Sequence, residues 1–595
     1  MGKKIIIAEK PSVGQTYAET LGVREKHNGY LENEEWIVTW TIGHLVTLSY
    51  PEDYDSELKN WKLDTLPFLP ENYKYKVISN VKSQFEVVKK LYNRNDIDCI
   101  YYAGDAAREG LYIQMLVRQM AGHKTGIEEK VVWIDSQTKS EILRGIREAK
   151  PLSAYRGMKD SGYIRGIEDY AMGINFSRAL SLMYGNMLNV ASATKKYKSI
   201  SVGRVMTCVL GMIVTREYEI TKFKPTPFYK VHSVIAVDGT EIEGEWRTTE
   251  ESKWYESLCL YENNGFLREE DAKAFLSELP GEIIVKSIEE KTEKNHAPLL
   301  FNLAELQNEC SKKLKINPTE TLNTVQSLYE KKLTTYPRTD ARVLSTAIAK
   351  EIDRNIKKLS SDNTVGPYVT EIIKNGWYKE LEKTKYVDDS KITDHYAIIP
   401  TGDGNKNDLT DIESKVYDMI LKRFVAIFYP PAEYAKITVE EKAGTESFFF
   451  TGRYLQKPGY LEIYGPVSDD NAEKGKAVAA TELKEGETYA TTYSIRKGET
   501  TAPKRYTSGS IILAMENAGK LIEEEELRER IKSIGIGTSA TRDETIKKLC
   551  ELEYIRIDKK TQVIYPEPLG FMVYETVNLT VPTLQSFSVT ATLEP

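Results

Sequence analysis

Two short apolar runs of β-branched character, residues 4–8 and 98–103, each break into a polar loop and then into helix-compatible sequence. Parallel strands need a crossover, usually a helix, so this repeated strand, loop, helix grammar constrains the N-terminal part to a parallel sheet. Ligands of open parallel sheets sit outside the carboxyl ends of the strands. Glu9 and Lys10 follow the first run, and Asp105, Ala107 and Glu109 follow the second. Both acidic groups are therefore predicted at one end of one sheet.

The chain has 595 residues, more than one hydrophobic core usually organises, and it divides into roughly three to five domains. Helical periodicity over 151–189 gives way to β-type alternation over 225–290. Helical periodicity returns over 302–395, residues 429–493 are β-rich, and helices resume after Pro503. This return to earlier classes predicts domains inserted within domains: 1–150, a parallel-sheet domain; 151–222 and 501–595, two parts of one helical lobe; 223–290 and 426–500, two parts of a β-rich arch; and 291–425, a helical domain carrying Tyr336.

Several function classes are excluded. Hydrophobic residues at 41% and charged residues at 28% exclude a disordered chain. The longest apolar runs, such as 205–214, fall short of the roughly 18 residues that a membrane span needs. Charge follows the first apolar run at once, which is wrong for an export signal, so the expected location is the cytoplasm, with no membrane contact. Five scattered cysteines without a CxxC pair argue against a zinc ribbon or a disulfide framework. A net charge of -7 argues against a passive nucleic-acid coat, but Lys195, Lys196, Lys198, Arg204, Arg216, Lys222 and Lys224 form a local basic stretch suited to phosphates. No G-x-x-x-x-G-K-[ST] is present, so no Walker-type ATP site is predicted.

The chemistry centres on Thr335-Tyr336-Pro337-Arg338-Thr339-Asp340. A tyrosine before a proline is most often a packing or turn residue. A phenol nevertheless accepts a phosphoryl group once its pKa of about 10 is offset by positive charge, and Arg338 offers a planar fork to a pentavalent phosphate. Glu9-Lys10 could be an exposed charged pair, but its place at a strand's carboxyl end favours a functional reading, whereas the acids of Asp105-x-Ala107-x-Glu109, taken alone, are usually solvated.

Together these residues resemble the type IA DNA topoisomerases, the topoisomerase III branch in particular. The resemblance runs over nearly all of the chain. It is carried by Ile6 to Val13, Ile42-Gly43-His44-Leu45, Asp105 with Arg108-Glu109-Gly110, and Gly173-Ile174-Asn175 with Ser177-Arg178. It continues through Ser201-Val202-Gly203-Arg204-Val205, Gln326-Ser327-Leu328-Tyr329-Glu330, Tyr336 to Asp340, Asp394-His395 with 397–401, and Gly535-Ile536-Gly537-Thr538 with Ala540-Thr541-Arg542.

The resemblance implies a multi-domain fold of α/β plus α and β parts: a Toprim, Rossmann-like parallel-sheet domain and a toroidal body. It implies Tyr336 as nucleophile, Arg338 and His395 at the scissile phosphate, and Glu9 and Lys10 positioning that phosphate and handling the proton of the leaving 3′-hydroxyl. Asp105, Glu109 and Glu9 would hold magnesium. Arg108, Asn175, Arg178, Ser201 and Arg204 would line a groove for single-stranded or negatively supercoiled DNA, although interdomain hydrogen bonding also accounts for such residues. A monomer is expected; RNA as a second substrate and a helicase partner stay open.

Three departures from the family pattern stand out. Ala107 replaces one carboxylate of Asp-x-Asp-x-Glu, Leu111 stands where the pattern has glutamate, and Met206, Cys208 and Ser539 change groove positions. Magnesium needs only one or two protein carboxylates, so weaker affinity is expected rather than loss. Residues 586–595 resemble the middle of a family segment, so a truncated chain is expected. Two competing readings are a clamp that grips single strands without cleaving, and another Toprim enzyme such as a primase or nuclease.

Overall fold

The computed structural model describes residues 2–122, 126–192, 197–465, 471–521 and 535–585. Lys195, Lys196 and the segment 586–595 lie outside the described residues.

The first sheet contains β1 (Lys3–Ala8), β2 (Glu25–His27), β3 (Tyr30–Glu32), β4 (Trp36–Trp40), β5 (Ile97–Ala103), β6 (Glu128–Val131) and β7 (Lys150–Pro151), in the order β2-β3-β4-β1-β5-β6-β7. The central strands β4, β1, β5 and β6 run parallel, and the outer pairings are antiparallel. Strand β1 is fully buried at Ile5 to Ala8, as a strand covered on both faces must be. Helix α1 (Pro11–Leu21) follows β1, and α2 (Arg108–Ala121) follows β5. Ala8 pairs with Ala103, so the loops holding Glu9 and Asp105 leave neighbouring strands at the same end, as the sequence predicts.

Beyond this sheet, α3 (Arg156–Ala191) and α4 (Arg204–Lys222) build a helical lobe. Its core joins Val209 and Ile213 to Ile511, Met515, Ile546 and Val573, so the chain leaves this lobe and returns to it some 300 residues later. The β-rich segments are β8 (Pro227–Val237), β9 (Thr240–Arg247), β10 (Glu282–Asn295), β11 (Ala432–Ala443), β12 (Glu446–Lys457) and β13 (Thr488–Glu499). They order as β9-β12-β11-β10-β13-β8, and β8 also pairs with β9, closing the six strands into a ring. Closure removes open sheet edges. Two helices, Glu269–Glu278 and Asn471–Ala480, interrupt segments that the sequence reads as β-rich throughout.

A separate core unites residues 297–463, including Leu306, Leu328, Leu344 and Phe424. It carries α5 (Pro318–Glu330) and the loop bearing Tyr336. An Asn317/Glu320 capping box and Pro318 start α5, fixing where its last turn arrives.

Candidate active site at the seam between two domains

Glu9 and Asp105 meet directly: the Asp105 backbone N–H donates to Glu9 Oε2 at 2.9 Å. Gly110 makes this turn possible, because a Cβ there would lie 2.1 Å from the Asp105 carbonyl oxygen. Burial, and then the neighbouring Asp105 carboxylate, push the Glu9 pKa up to about 7.

Tyr336 comes from the other side of the seam and is 1% exposed. Its backbone N–H donates to the Asp135 carbonyl at 2.8 Å, tying the tyrosine loop to the end of the first sheet. Arg338 Nη1 pairs with Asp105 Oδ2 at 2.8 Å, while Arg338 Nε is buried with no hydrogen-bond partner. An unsatisfied buried guanidinium donor beside a buried phenol suits an anionic oxygen. Burial, and then Asp105, push the Tyr336 phenol well above its ordinary pKa, with Arg338 opposing them. The phenol is therefore protonated while the seam is closed.

The His395 ring lies 4.6 Å from that of Tyr336 and stacks on Trp133 at 5.8 Å. Its Nδ1 faces Asp135 Oδ1 and its Nε2 faces the Ala106 carbonyl. Burial disfavours charge on the imidazole, yet the hydrogen bond and charge of Asp135, with the Ala106 carbonyl and Asp394, together outweigh it and raise the pKa. Both ring nitrogens face acceptors, so both carry protons.

Further contacts close the seam: Gln137 Nε2 donates to the Tyr329 hydroxyl at 2.9 Å, and Lys10 Nζ lies 3.5 Å from Glu330 Oε1. The structure thus brings Glu9, Lys10, Asp105, Arg338, His395 and Tyr336 together at one seam. Glu109 points elsewhere, accepting from His44 Nε2 at 2.8 Å. Burial raises the Glu109 pKa, but the His44 hydrogen bond together with the charges of His44, Arg165 and Arg108 outweighs it, holding the carboxyl below its ordinary range.

Among the described residues no three His, Cys, Asp or Glu side chains are gathered to hold a metal. The Glu9/Asp105 pair nevertheless has suitable chemistry, since the charge of one buried carboxylate disfavours charge on the other and a divalent cation relieves that repulsion.

A cavity of about 560 Å³ adjoins the seam, lined by Arg108, Glu109, Arg165, Arg338, Ser539 and Arg542 among others. Arg108 is thus beside the site. Asn175, Arg178, Ser201 and Arg204 are engaged within the protein. Asn175 Nδ2 donates to the Phe68 carbonyl at 3.0 Å, and Arg178 Nη1 to the Leu58 carbonyl at 3.1 Å, with Trp61 stacked over its guanidinium. They fasten the excursion between β4 and β5 onto α3. The Ser201 backbone bonds the Tyr554 hydroxyl, and Arg204, 2% exposed, pairs with Asp169 at 3.1 Å. In the basic stretch, Lys198 pairs with Glu553 and Arg216 with Glu219.

Sequence reasoning assigned no role to Asp135, His44 or Glu330. Asp135 closes a third apolar run, 131–134, so the acid-after-strand pattern that marks Glu9 also marks it. His44 and Glu330 stand inside motifs quoted for the family resemblance.

Comparison with known proteins agrees with this geometry. Residues 153–595 match the family described as DNA topoisomerase, and residues 4–135 match the Toprim domain, a metal-binding domain. The chain is 34% identical over 587 residues to the DNA topoisomerase 3 of Bacillus licheniformis, covering 97% of this chain and 76% of that protein. The DNA topoisomerase 3 of Bacillus subtilis matches to the same extent, and that of Bacillus cereus strain ATCC 14579 is 35% identical over 563 residues, 92% of this chain and 72% of that protein. The solved full-length topoisomerase I of Thermotoga maritima has the same fold, with a TM-score of 0.68 and 21% identity over 99% of this chain and 85% of that one. The readings as a non-cleaving clamp or as another kind of Toprim enzyme find no support in these matches. The chain belongs to the type IA DNA topoisomerases and is topoisomerase III-like.

Proposed function

We propose that Tyr336 is the nucleophile that cuts one DNA strand and holds its 5′ phosphate until the strand is resealed. The observation that carries this reading is the seam itself: a buried tyrosine meets Glu9 and Asp105 from a different domain, with Arg338 between them and one of its donors unsatisfied. In cleavage the Tyr336 phenol gives up its proton and its oxygen bonds to phosphorus as the bond to the 3′ oxygen breaks and that oxygen takes a proton; in religation the 3′ oxygen bonds to phosphorus, the tyrosine–phosphorus bond breaks and the phenol is protonated again. Phosphodiester energy is retained and no ATP is consumed.

Arg338 and His395 neutralise the charge of the pentavalent phosphate, and Lys10 positions it. Glu9, with its pKa pushed up to about 7, is suited to give a proton to the leaving 3′ oxygen and to take it back on religation. Magnesium, when bound, would offset phosphate charge; Asp105 and the deprotonated Glu9 would hold it, and Glu109 would join them only on leaving His44. Arg108, Arg165 and Arg542 in the 560 Å³ cavity suit the backbone of a single strand. The closed seam leaves Tyr336 1% exposed, so the tyrosine domain must part from the sheet for strand passage through a toroidal body.

The finer attributes belong to the same proposal: the six-segment partition given above, and a cytoplasmic monomer acting on single-stranded or negatively supercoiled DNA. A groove that reads backbone and base faces also takes RNA, and a helicase is the kind of partner that supplies single strands. The test is relaxation of negatively supercoiled plasmid without ATP. Tyr336→Phe is expected to abolish relaxation while leaving single-strand binding near the wild-type level, and retained relaxation would refute the assignment.

A further inference from the structure

Across the seam from Lys10, one carboxylate draws its charged partner from the other domain. Glu330 is the last residue of α5, where a negative side chain faces the partly negative end of the helix dipole. Its compensation comes from the other domain. Glu330 Oε1 lies 3.5 Å from Lys10 Nζ, and Ser12 Oγ donates to Glu330 Oε2 at 3.0 Å, with Ser12 in the first turn of α1. Gln326 Nε2, one turn back on α5, holds the same carboxylate at 3.2 Å. A lysine, a serine hydroxyl and the start of a helix together favour an anion, and here the anion is a carboxylate carried in by the tyrosine-bearing domain.

We propose that Glu330 is a positioning residue that stands in for a DNA phosphate. With the seam closed and no DNA bound, its carboxylate occupies the place beside Lys10 and Ser12. When single-stranded DNA binds, a backbone phosphate exchanges for it, and the exchange releases one of the contacts holding Tyr336 against the sheet. Substrate binding thereby loosens the gate that must open. The proposal rests on the reading of Lys10 as a phosphate-positioning residue, and it assigns Ser12 to the same anion site.

The experiment uses the full chain carrying Tyr336→Phe, so that binding of a labelled single-stranded oligonucleotide is measured without cleavage. Adding Glu330→Gln keeps the shape and removes the competing charge. The Lys10–Glu330 pair is about one-quarter exposed on each side, and a partly exposed ion pair of this kind corresponds to about a two- to fivefold lower Kd at low salt. Equal or weaker binding would overturn the exchange. In a Lys10→Ala background the gain is expected to vanish; a gain that persists there also overturns the exchange, while leaving the role of Tyr336 standing. If Lys10→Ala alone changes neither binding nor cleavage, the Lys10 reading itself fails. As an independent measurement, Glu330→Gln with Tyr336 intact is expected to speed amide exchange over 329–336 in the absence of DNA, and unchanged exchange would count against the proposal.

Discussion

The pairing of His395 with Asp135 makes the charge on a buried imidazole depend on one carboxylate, and Asp135→Asn removes that charge at nearly constant shape. His395 has a 2% exposed side chain, with Asp135 on one nitrogen and the Ala106 carbonyl on the other. An asparagine oxygen still accepts from Nδ1, so a charge-assisted bond becomes a neutral one. The difference between those classes is about 1 kcal/mol, or roughly fivefold in the closed-to-open ratio of the seam. The sign follows from the direction of the shift. The folded pKa of His395 is raised above the ordinary value of about 6.5, so its stabilisation is complete below that value and is lost as pH rises through the raised one. In the variant the loss is expected to begin at lower pH. Amide exchange at Tyr336, whose N–H is bonded to Asp135, measured across pH 5.5 to 9 alongside covalent-adduct formation, reads both effects. Superimposable pH profiles for wild type and variant would refute the reasoning.

Two other substitutions test separate parts of the account. Ala107→Asp adds the carboxylate that the family pattern carries beside Asp105, and it is expected to lower the magnesium concentration giving half-maximal relaxation; an unchanged titration would show that this carboxylate is irrelevant. Arg178→Met removes the bond to the Leu58 carbonyl and the stack with Trp61, at a cost of about 1.5 to 3 kcal/mol for a bond from a charged donor. Protease resistance of segment 49–68 is expected to fall with little change in single-strand affinity, whereas a loss of affinity with intact resistance would make Arg178 a DNA contact.

The residues that sequence reading located best are those whose position follows from one-dimensional rules. Glu9 and Asp105 end apolar runs that must be neighbouring parallel strands, so their meeting is implied by the strand grammar. Tyr336 and Arg338 share a six-residue motif. Asn175 and Arg178 show the limit: the same donors satisfy carbonyls of a packed loop as readily as phosphates, and no spacing reveals that Leu58 and Phe68 land on α3. Alternation marks β8 and β9 as strands but not that their pairing closes a ring of six, since pairing is set by long-range packing. The turn of Glu109 toward His44 rather than toward Asp105 is likewise a matter of side-chain direction, which periodicity does not encode.

The central claim, that Tyr336 becomes covalently joined to DNA, is tested most directly by mapping the attachment point. A single-stranded oligonucleotide incubated with the protein and magnesium, quenched in denaturant and digested, is expected to leave a 5′-phosphoryl nucleotide on the peptide containing Tyr336, and none in Tyr336→Phe. An adduct on any other residue, or cleavage that leaves no attached protein, would contradict it.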